Sequence, residues 1–110
     1  MKKYMLFSVV VVFLIGIEFA WAQGDATAGK AVYDKSCATC HAADGAPKAA
    51  IAKMLKVEMR HLGAKEVQAK SDADLKKVIT EGYQKMKPVK GLADKDVANV
   101  IAFMRTLKQP

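Results

Sequence analysis

The five residues Cys37-Ala38-Thr39-Cys40-His41 carry both cysteines of this 110-residue chain. A disulfide inside one C-x-x-C closes only a tiny loop, so no covalent bridge can tie distant segments together. Two thiols at this spacing support three chemistries. They can act as a redox switch, form half of a zinc site, or anchor haem through two thioethers.

The surrounding residues separate the three. A redox C-x-x-C of the thioredoxin kind follows a strand and opens a helix. Here the pair closes a helical stretch, and no strand pattern precedes it. Zinc would need Cys37, Cys40, His41 and His61 on one ion. Adjacent Cys40 and His41 would have to bend onto it, and no second C-x-x-C exists. The haem reading uses all three residues. The thiols of Cys37 and Cys40 add across two vinyl groups on one porphyrin edge. His41 then lies below the ring and reaches the iron through Nε2. A ligating histidine usually donates its other N–H to a fixed acceptor. Pro47, in the loop "ADGAP" just after His41, offers a carbonyl and no N–H.

The N-terminus fits this chemistry. Lys2 and Lys3 precede an apolar run at 6–17, and Ala20 and Ala22 stand at the −3 and −1 positions of an A-x-A site. This order predicts a secretory signal peptide, 1–22, cleaved after Ala22. The run is too short for a spanning helix, which needs about 20 apolar residues. The expected mature chain, 23–110, is one domain. Its core is marginal at this size without a staple, and a buried cofactor would supply one. Without Lys2, Lys3 and Glu18, 16 basic and 10 acidic residues remain, interleaved along the chain. With only two arginines and an exported destination, nucleic acid is not an expected partner.

Helical periodicity recurs four times, and no stretch alternates well enough for a strand. The first segment is 26–36, with Asp25 as N-cap. The second is 48–62, with Ile51, Met54, Leu55, Met59 and Leu62 on one face and Gly63 as the stop. The third is 72–81, where Ser71 and Asp74 form a capping-box pattern, Leu75, Val78 and Ile79 are the buried stripe, and Gly82 ends it. The fourth is 94–107, with Val97, Val100, Ile101, Met104 and Leu107 in register and Asp94 the better N-cap than Ala93. The expected fold is all-α.

"GDATAGKAVYDKSCATCHAADG", "SDADLKKVITEG" and "LADKDVANVIAFMRTL" together resemble the class I c-type cytochromes, the small soluble monohaem proteins. The resemblance covers nearly all of 24–107. It implies the cytochrome c fold, three to four short helices around one covalently bound haem c. It also implies that Gly29 and Tyr33 on the first helix pack against Val100 and Phe103 on the last, and that the Pro47 carbonyl orients His41. The family's distal ligand is a methionine in a loop of the form G-x-x-x-M-P. Gly82 to Met86 matches it, with Lys87 standing between Met86 and Pro88.

The residues leave the distal side open among several candidates. Met54, Met59 and Met104 fall on apolar helix faces and are expected in the core. Met86 sits in a Lys/Pro loop, where a thioether suits haem iron as a soft ligand that raises the potential. His61, Met59 or an open position are the rivals. With His41 and Met86 both on the iron, substrate has no access and one-electron exchange remains. The expectation is a monomeric periplasmic electron carrier, not an enzyme and without a permanent membrane anchor. Lys48, Lys85, Lys87 and Lys90 would rim the haem edge and steer acidic patches of redox partner proteins toward it. A haem-bearing subunit of a larger oxidoreductase, or a haem enzyme or sensor with open iron, are the alternatives.

Overall fold

The computed structural model describes residues 24–110; the expected signal peptide lies outside the described residues. Five helices follow one another: α1 (Ala26–Ser36), α2 (Ala49–Leu55), α3 (Lys65–Gln68), α4 (Asp72–Glu81) and α5 (Asp94–Thr106). Among the described residues there is no strand, only two isolated bridges. No helix among them is long and apolar enough to cross a membrane.

The α1–α5 crossing organises the fold. The Asp25 carboxylate caps α1 by accepting from the N–H groups of Thr27 and Ala28. Its own N–H donates to Asn99 Oδ1 at 2.8 Å, tying the start of α1 to the middle of α5. The helices meet backbone to backbone at Gly29, where a Cβ would stand 1.8 Å from the Asn99 carbonyl oxygen and 3.0 Å from Phe103 Cβ. Beside that contact the Tyr33 and Phe103 rings pack with centroids 5.0 Å apart and planes tilted by 57°. Such a pair adds about 0.5–1.5 kcal/mol to the area it buries. Val97, Val100, Ile101 and Met104 turn the rest of the α5 stripe into the core, which Leu75 and Ile79 of α4 complete. The partner that Gly29 meets most closely is therefore Asn99, while Val100 fills the core beside it.

α4 forms over the expected span. The Ser71 hydroxyl accepts from Asp74 N–H at its start. At its end Gly82 adopts φ 86, ψ 170, a conformation essentially reserved for glycine. α5 begins one residue earlier than its better cap suggested. Ala93 is the N-cap, Asp94 opens the first turn, and the Asp96 carboxylate accepts from Ala93 N–H at 3.1 Å. Ala93 has no side-chain acceptor, so only this half of a capping box exists.

The second segment departs most from its periodicity. α2 stops at Leu55, and Lys56 takes the left-handed conformation (φ 55, ψ 47). Lys56 N–H bonds the Lys53 carbonyl and Val57 N–H bonds the Ala52 carbonyl, which together make a Schellman motif. Past this point the apolar stripe loses register, and within α2 itself Met54 is 68% exposed instead of buried. Gly63 is not a helix stop. It sits where a Cβ would lie 1.8 Å from the Leu107 carbonyl, and its own carbonyl accepts from Gln109. The irregular 56–71 stretch is held by side chains. Gln68 Nε2 donates to the Leu62 and Met104 carbonyls. Arg105 donates to the Gln68 and Lys70 carbonyls and to Asp72.

Candidate functional site

Cys37 follows the last turn of α1, and its N–H bonds the Tyr33 carbonyl at 2.8 Å. The Cys37 carbonyl in turn accepts from both Cys40 and His41, so the five-residue motif folds on itself as a tight turn. The chain then reverses. His41 faces Pro47 across an antiparallel bridge, flanked by bonds from Ala42 N–H to Ala46 and from Lys48 N–H to Cys40. This is the bridge type in which the facing residues do not bond each other, so the ladder leaves the Pro47 carbonyl unused. Gly45 closes the reversal with φ 87 and donates to the Ala42 carbonyl. Lys48 returns its ammonium to the Ala38 carbonyl, inside the C-x-x-C.

The electrostatics of this loop bear on the three chemistries. Both cysteines are free. Burial pushes the Cys37 thiol up to about 11, the opposite of the activation a redox thiolate requires. Among the described residues no three His, Cys, Asp or Glu side chains group to hold a metal ion, so the four zinc candidates do not converge. Burial lowers the His41 pKa and keeps the imidazole neutral, the form that ligates. Its Nδ1 is buried with no hydrogen-bond partner. A neutral, half-buried imidazole with an unpartnered Nδ1, next to two free thiols, fits the haem motif. Pro47 faces His41 across the backbone bridge, and its carbonyl makes no hydrogen bond to Nδ1 here.

Met86 lies in a separate structure. Tyr83 and Met86 exchange both backbone hydrogen bonds (2.9 and 2.8 Å) around a two-residue turn in which Gln84 has φ 51. Gly82 lets this hairpin fold back. A Cβ there would stand 2.8 Å from the Met86 carbonyl and 3.1 Å from the Pro88 nitrogen. Val89 N–H then bonds the Ile79 carbonyl and returns the chain to α4. Lys87 is accommodated between the hairpin and the Gly82–Pro88 contact. Cys37 from the first loop and Val89 from the second pack against the same core.

His61 is committed elsewhere. Its Nδ1 accepts from Gly63 N–H at 2.9 Å, which leaves the proton of the neutral ring on Nε2 and opposes ligation through that atom. Lys85, Lys87 and Lys90 are exposed and take no part in the ion pairs among the described residues, which join Lys30 to Asp34, Arg60 to Glu66, Lys76 to Asp94 and Arg105 to Asp72. Sequence reasoning placed the Tyr33 ring at the helix crossing but missed its hydroxyl, which donates to the Ala42 carbonyl at 2.5 Å, and it missed the buried Asn99. An amide on an otherwise apolar helix stripe was the available signal for Asn99.

Residues 24–104 match the family model described as Cytochrome C oxidase, cbb3-type, subunit III. The chain belongs to this family of class I c-type cytochromes. Cytochrome c-555 of Chlorobaculum tepidum is 39% identical over 90 residues, covering 73% of this chain and 74% of the relative. Cytochrome c-554(547) of Halothiobacillus neapolitanus is 36% identical over 90 residues, covering 77% of this chain and 99% of the relative. Two solved structures share the fold. The KustC0563 c-type cytochrome aligns with a TM-score of 0.64 and 31% identity over 74% of this chain and 98% of that one. Cytochrome c6 from the diatom Phaeodactylum tricornutum aligns with a TM-score of 0.53 and 29% identity over 74% and 91%. The family carries covalently bound haem c, and this cytochrome has the C-x-x-C-H that such a haem requires.

Proposed function

We propose that this cytochrome is an extracytoplasmic one-electron carrier, exported by cleavage after Ala22 and docking transiently on its redox partners. The observation that carries the reading is His41, a neutral, half-buried imidazole with a buried, unpartnered Nδ1 in a C-x-x-C-H turn. Bound haem supplies reversible ferric–ferrous exchange. Cys37 and Cys40 would hold it as thioethers. His41 would be the proximal ligand and the Pro47 carbonyl the acceptor for its Nδ1–H, which fixes the ring. Met86 would be the second protein ligand, its hairpin pinned by Gly82 and by the Val89–Ile79 bond. With His41 and Met86 supplied from two braced loops, the haem would undergo one-electron exchange and leave substrate no place on the iron.

Lys85, Lys87 and Lys90 are exposed and make no ion pair among the described residues, which suits encounter with an acidic partner surface. Lys48 joins the rim less freely, since its ammonium is held at the Ala38 carbonyl. The oxidised optical spectrum of wild type and Met86→Ala tests the distal ligand. The thioether–iron charge-transfer band is expected in wild type and absent in the variant, and a band that survives overturns the assignment. Electron-transfer rates to acidic partner proteins should fall steeply with ionic strength, and indifference to salt would remove the steering role.

The matched family's description, an oxidase subunit, favours a second reading in which the chain serves as a haem-bearing subunit of a larger oxidoreductase. Gel filtration of the native protein separates the two: a carrier elutes as a free small protein, a subunit with its complex.

A further inference from the structure

Tyr33 is fully buried at 0% exposure and meets the haem motif at both ends. Its carbonyl accepts from Cys37 and Ala38 N–H at the start of the motif. Its hydroxyl donates to the carbonyl of Ala42, the residue directly after His41. The Ala42 carbonyl already accepts from Gly45 N–H at 2.9 Å, and Ala42 N–H donates to Ala46. The reversal at 42–46 therefore closes without Tyr33. What the hydroxyl adds is a tie across nine residues, from the α1–α5 core to the backbone beside His41. Packing alone does not need it, because a phenylalanine ring fills the same space against Phe103. A buried hydroxyl is also costly to desolvate unless it is bonded. Burial, the largest cause, pushes its pKa up to about 12, so it remains a donor at any ordinary pH.

We infer that the Tyr33 hydroxyl is a positioning group for the proximal ligand, holding the His41–Ala42 backbone against the core and thereby raising the reduction potential. This rests on the reading of His41 as proximal ligand. The sign follows from electrostatics. The O–H dipole offsets the negative end of the Ala42 carbonyl. Without it, that carbonyl and any water admitted beside it favour the more positive ferric state.

The test is Tyr33→Phe in the holoprotein. Its reduction potential should shift down, and the paramagnetically shifted proximal-imidazole resonances should move, while near-ultraviolet circular dichroism reports unchanged packing of Phe103. If potential and imidazole shifts match wild type and only the denaturation midpoint falls, the hydroxyl is merely structural and the inference is overturned. Should the variant not mature with haem, proton NMR of wild type decides. A slowly exchanging Tyr33 hydroxyl proton with a cross-peak to Ala42 supports the tie. Exchange as fast as that of the exposed Tyr83 hydroxyl overturns it. The wild-type spectra test the underlying reading separately. Shifted imidazole signals assigned to a residue other than His41 would refute the ligand, whatever Tyr33→Phe does.

Discussion

The α1–α5 crossing and the 49–71 stretch frame the same site by different means. At the crossing, backbone approaches backbone, and small residues with an aromatic pair beside them are the only local solution. In the 49–71 stretch two short helices, a left-handed lysine and the loops between them are tied to α5 by side chains, Gln68 reaching out to the Met104 carbonyl and Arg105 reaching in to the Gln68 and Lys70 carbonyls. The first kind of contact is written in the residues that make it. The second depends in part on Arg105, far along the chain from the segment it holds.

The crossing should therefore be the less tolerant region, and Gly29→Ala is the sharpest way to break it. By helix propensity alone the change should stabilise by about 1 kcal/mol. With a Cβ 1.8 Å from the Asn99 carbonyl, the helices must separate instead. The expected loss is about 3 kcal/mol or more, at the upper end of overpacking costs. Chemical denaturation of the holoprotein measures it. A neutral or stabilised variant would show that the crossing can slide and that the contrast between the regions is false.

Gly82→Ala applies the same kind of test to the Met86 hairpin. The φ 86, ψ 170 conformation costs a non-glycine residue about 1–3 kcal/mol, and the new Cβ would press on the Met86 carbonyl. Loss of stability by about 2 kcal/mol should come with a weakened thioether–iron band. If stability falls while the band is untouched, Gly82 serves the α4 terminus and not the hairpin.

These two glycines explain what was legible. Helices α1, α4 and α5 were bounded to within a residue or so because each carries its own signals: Asp25 and Ser71 as caps, Gly82 as a stop, and the Val97–Met104 stripe. The motif loop was legible for the same reason, since its chemistry is local. The α2 boundary was not. A Schellman motif normally announces itself with glycine, and here Lys56 occupies that place. The periodicity therefore ran on to Gly63, whose actual work is to let the Leu107 carbonyl pass. Asn99 drew no expectation from the sequence, because a polar residue on a helix is usually solvated. Its burial becomes intelligible only once Asp25 N–H, 74 positions away, is placed on its Oδ1.

Asn99→Ala measures how much that one tie contributes to the crossing. It removes the acceptor of Asp25 N–H at the start of α1, leaving a part-buried donor unsatisfied. A loss of about 1–2 kcal/mol in denaturant unfolding is expected. A loss within experimental error would mean that water replaces the amide, and that Gly29 and the aromatic pair alone define the crossing.

The smallest expected effect has the opposite sign and belongs to the other region. Lys56 holds φ 55, ψ 47 at the end of α2 with an exposed side chain that makes no ion pair among the described residues. A left-handed conformation costs an L-residue roughly 1–2 kcal/mol that glycine does not incur, partly offset by the larger entropy glycine loses on folding. Lys56→Gly should therefore stabilise the holoprotein by up to about 1 kcal/mol. It should raise the denaturation midpoint and leave the optical spectrum unchanged, because the Schellman bonds to Ala52 and Lys53 are backbone bonds that glycine keeps. A destabilised Lys56→Gly would mean that the lysine stem packs on something the apolar stripe does not reveal. The 49–71 stretch would then be specified by its own side chains after all, and the distinction between the two regions would narrow to the identity of their helix stops.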